Sequence, residues 1–258
     1  MSVPWFFLAH DAVAAASIGF VRVAPVFFML PFLNGNVLSG VTRTAVAMWV
    51  AIGLWPHDLD GAGMTPDVPF WRIAVQEVLI GGALGCALAW PFWVFHAVGA
   101  YIDNQRGATL SSVVDPANGV DTSELANMLN LFCAAAYLNI GGMRLMLDVL
   151  ARSYGICDPL RACNLSLPPV LSLLDVIVVH ALVLASPVVA ALLISEILLG
   201  LLSRFAPQMN AFAVSLAIKS LIAFTLLLIY AGTMFPQKMA GMVMYPDELL
   251  RWFVPAGN

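Results

Sequence analysis

Four charged side chains stand where charge is costly. Arg22, Glu77, Glu196 and Lys219 each lie several residues inside an apolar run, and a charge at the centre of a bilayer costs about 2.5–3.5 kcal/mol on insertion scales. Such groups pair or face water. Two chemistries are open to them, an ion or proton pathway and a pairing that holds helices in register, and register is the simpler reading. Glu77 is followed by Gly81 and Gly85, a small-xxx-small spacing that permits close helix approach but is a weak signal alone. Covalent chemistry has less to stand on. The sequence carries no HExxH, GxSxG, GxGD or phosphate-loop pattern and no paired-carboxylate arrangement, and its four histidines are scattered. No catalytic residue, cofactor or metal ligand set is expected.

The cysteines divide into two kinds. Cys86 and Cys133 lie in apolar segments and read as small buried hydrophobes. Cys157 and Cys163 bracket Asp158-Pro159-Leu160-Arg161-Ala162, without spacing or a nearby histidine that would point to zinc. A disulfide across this proline-containing turn is expected if the loop faces an oxidising compartment, two free thiols being the alternative.

The polar stretch after Tyr101 is the least ordinary feature. From Asp103 to Val120 it includes Gln105, Arg106, Gly107, Leu110, Val113, Val114, Asp115-Pro116 and Asn118-Gly119. Connections beyond about 12–15 residues are uncommon and usually functional or disordered. The Asp-Pro and Asn-Gly pairs supply defined turns. Asp121 is expected to cap the next helix, with Glu124 reaching back in a capping box.

Elements able to position these residues must be helices in an apolar setting. Of 258 residues, 61% are hydrophobic and 10% charged, against about 45–50% and a quarter in soluble domains. The surplus must face lipid or other proteins. Net charge is −4 without a basic stripe, which argues against nucleic acid. Apolar runs fall at 12–33, 44–55, 73–101, 125–138, 170–202 and 211–235, whereas a bilayer crossing needs about 20 residues. Two runs are short, one is overlong, and Pro91 and Pro187 are expected to interrupt two. Broken helices persist in lipid only where protein or a water-filled path satisfies the freed backbone groups, so the runs read as parts of an assembly. The first helix, with no Lys or Arg ahead of it, is expected to stay in the mature protein. A single domain, 1–258, is expected, with an amphipathic tail from Pro236 onward. Arg43, Arg106 and Arg204 fall on alternate connections, but Arg152, Arg161, Lys238 and Arg251 fall on the other set. Charge therefore does not fix orientation, and the acidic connection 57–67 and the two-cysteine loop are placed on the periplasmic side.

Several stretches carry a family resemblance. Gly99-Ala100-Tyr101-Ile102-Asp103-Asn104-Gln105-Arg106-Gly107 with Asp115-Pro116, Arg22-Val23-Ala24-Pro25 with Pro31-Phe32, Glu77 with its glycines, and Ser203-Arg204-Phe205-Ala206-Pro207-Gln208-Met209-Asn210 occur in order. Together they resemble the SpaR/SctT-type export-apparatus subunits of type III secretion systems, a family that includes flagellar FliR. The match spans about residues 12–230. Ser215-Leu216-Ala217-Ile218 before Lys219 replaces the Gly-x-Pro of flagellar members and points to the injectisome branch.

The resemblance implies an all-α, membrane-associated protein of helical hairpins with broken and kinked apolar helices, built into a helical export gate in the bacterial inner membrane and partly periplasmic. It implies a non-enzymatic role and a conduit for unfolded effector and needle proteins. Implied neighbours are SctR-type and SctS-type gate subunits, an SctU-type switch protein, an SctV-type gate protein and the inner rod. It also implies that the 103–120 stretch lies in the pore, where it is expected to form a plug or constriction. The rival classes are a small-solute secondary transporter, which should show paired halves, and a membrane scaffold without a conduit. If Arg204, Pro207, Gln208 and Asn210 form a hairpin turn, Glu196 and Lys219 lie 11 and 12 residues either side of Pro207, each roughly 17 Å from it at 1.5 Å per residue. They can then pair within the chain or each meet a partner subunit.

Overall fold

The computed structural model describes residues 4–33, 37–56, 69–108, 123–161, 163–205, 211–249 and 252–255. The chain is all-α in class. Helix α1 (Pro4–Met29) is followed by a 3-10 turn (Pro31–Leu33), α2 (Gly40–Gly53), α3 (Phe70–Arg106), α4 (Glu124–Asn139) and α5 (Gly142–Ile156). Strand β1 (Cys163–Leu165), α6 (Leu167–Phe205), α7 (Ala211–Met242), the single turn α8 (Pro246–Leu249) and strand β2 (Phe253–Pro255) complete it. The strands form one short antiparallel ladder, Cys163 opposite Pro255 and Leu165 opposite Phe253.

Two compact units interleave along the sequence. The first takes Met1–Trp90, Gly141–Leu173 and Val243–Asn258; the second takes Pro91–Ile140 and Leu174–Met242. In the first, α1 packs on α2, and α5 packs on α8 and β2. Its core includes Val23, Val26, Phe27, Leu30, Ile80, Leu84, Met146 and Leu150. In the second, α4 packs on α7, and Phe235 gathers Phe95, Tyr230 and Phe132 in edge-to-face contacts with centroids 5.1, 5.4 and 6.3 Å away, the favoured aromatic geometry.

Among the described residues, four helices are long and apolar enough to cross a membrane, Ala12–Met29, Phe70–Arg106, Leu167–Phe205 and Val214–Met242, and the bent pair α4–α5 makes a fifth if counted as one span. The protein is a multi-pass membrane protein.

Several sequence expectations change here. Pro91 and Pro187 do not interrupt their helices; each lies inside a continuous one. A proline at 187 removes the hydrogen bond to the carbonyl four residues earlier, and the Ser186 hydroxyl donates to that Val183 carbonyl at 2.8 Å. A neighbouring hydroxyl thus satisfies the freed group inside an apolar helix. Pro236 likewise lies within α7 and does not begin a tail. The residues after α7 return to the first unit, where Trp252 and Phe253 are buried. Helix α5 had no counterpart among the apolar runs. It follows α4 across Ile140–Gly141, where Gly141 adopts φ +84°, a left-handed angle open to glycine.

Candidate functional site

In the first unit the buried charges form one network. Arg22 of α1 and Glu77 of α3 are both 0% exposed and meet in a two-pronged pair, Nε to Oε2 at 2.5 Å and Nη2 to Oε1 at 2.7 Å. Paired, planar geometry of this kind gives Arg–carboxylate bonds both strength and direction. Two further guanidinium donors are used as well. Nη1 donates to the Ser153 hydroxyl at 3.2 Å and Nη2 to the Cys157 carbonyl at 2.8 Å. The guanidinium lies 4.1 Å from the Tyr154 ring centroid, and the Tyr154 hydroxyl donates to the Gly19 carbonyl at 3.2 Å. A buried ion pair is tolerable only when its hydrogen-bonding capacity is met in this way.

Close helix approach makes the pair reachable. A Cβ on Gly81 would collide with the Arg22 backbone, and one on Gly85 would meet Met29 Sδ at 2.7 Å and the Pro25 carbonyl at 3.3 Å. The Gly81/Gly85 face of α3 therefore lies directly on α1. One residue before Glu77, Gln76 holds the two-cysteine loop. Its Nε2 donates to the Arg161 carbonyl at 2.9 Å, and its Oε1 accepts from the Cys163 amide at 3.3 Å. Cys157 and Cys163 are joined as a disulfide with Cα atoms 5.5 Å apart. Gln76, Ser153 and Tyr154 went unnoticed in the sequence. A polar Gln76 beside Glu77 in an apolar run was a usable signal.

In the second unit the polar stretch is split. Asp103, Gln105 and Arg106 belong to the last turns of α3 and not to the connection, which starts at Gly107. The helix continues because Asp103 has partners there. Its Oδ1 accepts from Arg106 Nε at 2.7 Å, its Oδ2 accepts from the Leu125 amide at 3.1 Å, and the Ser123 hydroxyl donates to the same oxygen. Asp103 is 1% exposed. Helix α4 is capped by Ser123, whose Oγ accepts from the Ala126 amide at 3.0 Å. That corrects the expected capping box: Glu124 is the first helical residue and so cannot fill the third position of one. Asp121 lies outside the described residues, as do Leu110, Val113, Val114, Asp115, Pro116 and Gly119 of the expected plug.

Two side chains link this helix end to the other long helices of the same unit. The Arg106 guanidinium lies 5.0 Å from the Phe224 ring centroid on α7. Gln105 Nε2 donates to Glu196 Oε2 on α6 at 3.3 Å, and Lys219 Nζ on α7 lies 3.1 Å from that same oxygen. Glu196 and Lys219 thus pair within the chain. Arg204 lies in the last turn of α6; Pro207, Gln208 and Asn210 lie outside the described residues. Among the described residues no three His, Cys, Asp or Glu side chains group as metal ligands would. What both units show is buried charge used up in holding helices together.

These features define a class: a multi-pass helical membrane protein whose polar side chains tie helix ends and crossings. Residues 13–243 match the family model described as bacterial export proteins, family 1, and the chain belongs to that family. It is 53% identical to the surface presentation of antigens protein SpaR of Salmonella typhimurium over 98% of this chain and 96% of that one. It is 28% identical to the Yop proteins translocation protein T of Yersinia pestis, over 88% and 90%. It is 23% identical to the flagellar biosynthetic protein FliR of Bacillus subtilis, over 87% and 89%. The family read from the Asp103–Gly107 and Arg204–Asn210 stretches is thus the family that residues 13–243 match.

Proposed function

We propose that this chain is a non-enzymatic subunit of a type III secretion export gate in the bacterial inner membrane, and that the segment between Ala108 and Ser123 closes the gate's conduit at rest. The whole chain, 1–258, acts as one module in this reading. Its neighbours are SctR-type, SctS-type, SctU-type and SctV-type subunits and the inner rod, and unfolded secreted proteins pass through the conduit. The family and the 53% identity to SpaR support the secretion role. The observation that carries the plug is the base of the segment, where α3 and α4 are locked together by a buried carboxylate while 14 residues, 109–122, connect them. A conduit in an energised membrane must hold back ions and yet yield to a polypeptide. A connection anchored at a rigid base can yield without disturbing the packed helices, because local opening draws on few apolar contacts.

The test removes Leu110–Val114 in the assembled complex and measures ion leak and secretion. The expected result is normal assembly with raised resting conductance. A shortened protein that assembles, secretes and stays as ion-tight as its parent would make this segment a plain connection and favour a scaffold role.

A further inference from the structure

In the first unit, the last strand of the chain is placed through one covalent bond. Cys157 is the fixed end of the two-cysteine loop. It ends α5, its amide donating to the Ser153 carbonyl at 2.9 Å. Its residue is 1% exposed and its carbonyl accepts from Arg22. Cys163 is the other end and begins β1, where it lies opposite Pro255 of β2. Just past β1 the Ser166 amide donates to the Trp252 carbonyl at 2.9 Å, which extends the pairing. The disulfide joins the two ends. A residue built into the buried ion-pair network thereby sets the place of β1.

The other holds among the described residues are slight. Gln76 contributes two hydrogen bonds from one side chain, to the Arg161 carbonyl and from the Cys163 amide, and such bonds have a modest net worth. A two-stranded ladder is marginal by itself. On the β2 side, the chain returns from α7 through the single turn α8, where Asp247 meets Arg152 at 3.3 Å with both side chains exposed. Exposed pairs of this kind contribute little. Trp252 and Phe253 are buried, but β2 packs on β1 as well as on α5. Displacing β1 takes away one wall of their site.

We infer that the Cys157–Cys163 bridge is an oxidation-dependent anchor for the C-terminal strand, which docks when the bridge forms and is released when the bridge is reduced. The step is a thiol–disulfide exchange. The two cysteine thiols give up two protons and two electrons and form one S–S bond. A disulfide-bearing protein oxidant accepts them and leaves as a dithiol. The effect is local. A sequence separation of 6 closes too short a loop to stabilise the whole unit strongly, and the Arg22–Glu77 pair keeps its own bonds without the bridge. What the bridge controls is one segment with few holds of its own, the kind that opens separately from a packed core. This anchor is independent of the conduit reading.

The test follows hydrogen exchange in the full-length chain in nanodiscs, read over 163–166 and 252–254. The bridged chain should be protected in both stretches. Reduction, or Cys163→Ala, should speed exchange there by about tenfold or more, while 18–30 of α1 and 73–89 of α3 stay within about twofold. The reduced parent serves if Cys163→Ala fails to fold. Reoxidation with oxidised glutathione should restore protection. Gln76→Ala with the bridge intact should speed exchange in the ladder by less than about threefold. Equal protection of 252–254 with and without the bridge, or protection that does not return with it, would overturn the anchor. A rise of the same size through α1 and α3 would make the bridge a staple of the whole unit and overturn the local role. A rise in Gln76→Ala as large as that on reduction would give the anchoring to Gln76 instead.

Discussion

Arg22 shows how a charged side chain with no access to water is accommodated in an apolar helix bundle. Its guanidinium makes four hydrogen bonds, two to Glu77, one to Ser153 and one to the Cys157 carbonyl, and stacks on Tyr154. A group so engaged has little capacity left to pass ions or protons, which favours the register role. It also gives the pair a characteristic mutational signature. Removing one partner of a buried pair costs about 3–5 kcal/mol because the other is left uncompensated, whereas removing both is far milder. Arg22→Met and Glu77→Leu should each lower the unfolding midpoint in detergent sharply. The double variant should lose much less than the sum of the two. Strictly additive losses would show that the two side chains act independently. The sequence made the outlines of this cluster visible, because a lone Arg and a lone Glu in apolar runs call for partners. It could not show Ser153 or Tyr154, which reach Arg22 from a helix whose alternating charges read as a connection.

At the scale of elements, that helix is the clearest case of what was illegible. Helix α5 carries Arg144, Asp148 and Arg152, yet Met146, Val149, Leu150, Ser153 and Tyr154 are buried along one face, a spacing of three and four that fits an amphipathic helix. A search for continuous apolar runs passes over such an element. The end of α3 was misplaced for a related reason, since the polar residues after Tyr101 are helical and spend their polarity on partners. Helix crossings, by contrast, were legible in part from Gly81 and Gly85, and the structure grades them. Gly81→Ala and Gly99→Ala place a methyl against backbone that cannot move aside and should cost about 1–3 kcal/mol as overpacking. Gly85→Ala meets the flexible end of Met29 and should cost less. Gly82→Ala meets nothing within 4 Å and should be neutral or stabilising by up to about 1 kcal/mol. Unfolding midpoints in that order would support the crossing geometry, and a uniform response to all four would oppose it. The α6–α7 link behaves differently from the Arg22 pair, because Lys219 is 9% exposed and Glu196 is 54% exposed. Loss of Glu196 strands a buried ammonium, but loss of Lys219 leaves a carboxylate that can still be solvated. Assembly yield should therefore fall further in Glu196→Gln than in Lys219→Met, with the double variant close to Lys219→Met. The reverse order would mean that Lys219 has a further partner, beyond Glu196, in the assembly.

At the scale of the whole molecule, helix length and bilayer thickness disagree, and the disagreement says what must cover the surface. Helix α6 has 39 residues, about 58 Å at 1.5 Å per residue, beside a hydrocarbon layer of about 30 Å. Its apolar exposure does not stop where the lipid would. Leu174 is 62% exposed and Phe205 83% exposed, and the 31 residues of helix between them span about 46 Å. Holding both inside 30 Å of hydrocarbon would demand a tilt of about 50°, beyond the range of about 0–40° seen for transmembrane helices. Lipid therefore cannot cover the whole helix, and other subunits are expected to supply the remaining apolar cover. This is the physical reason why runs that fit badly as independent spans make sense in an assembly. It leads to a labelling experiment with Leu174→Cys and Phe205→Cys, made separately in a chain lacking its other free thiols. In nanodiscs holding the isolated chain, at least one of the two positions should react with a water-soluble maleimide. In the assembled complex both should be protected. Protection of both in the isolated chain would mean that lipid alone suffices. A position still reactive after assembly would mean that this end of α6 is not where partner subunits bind.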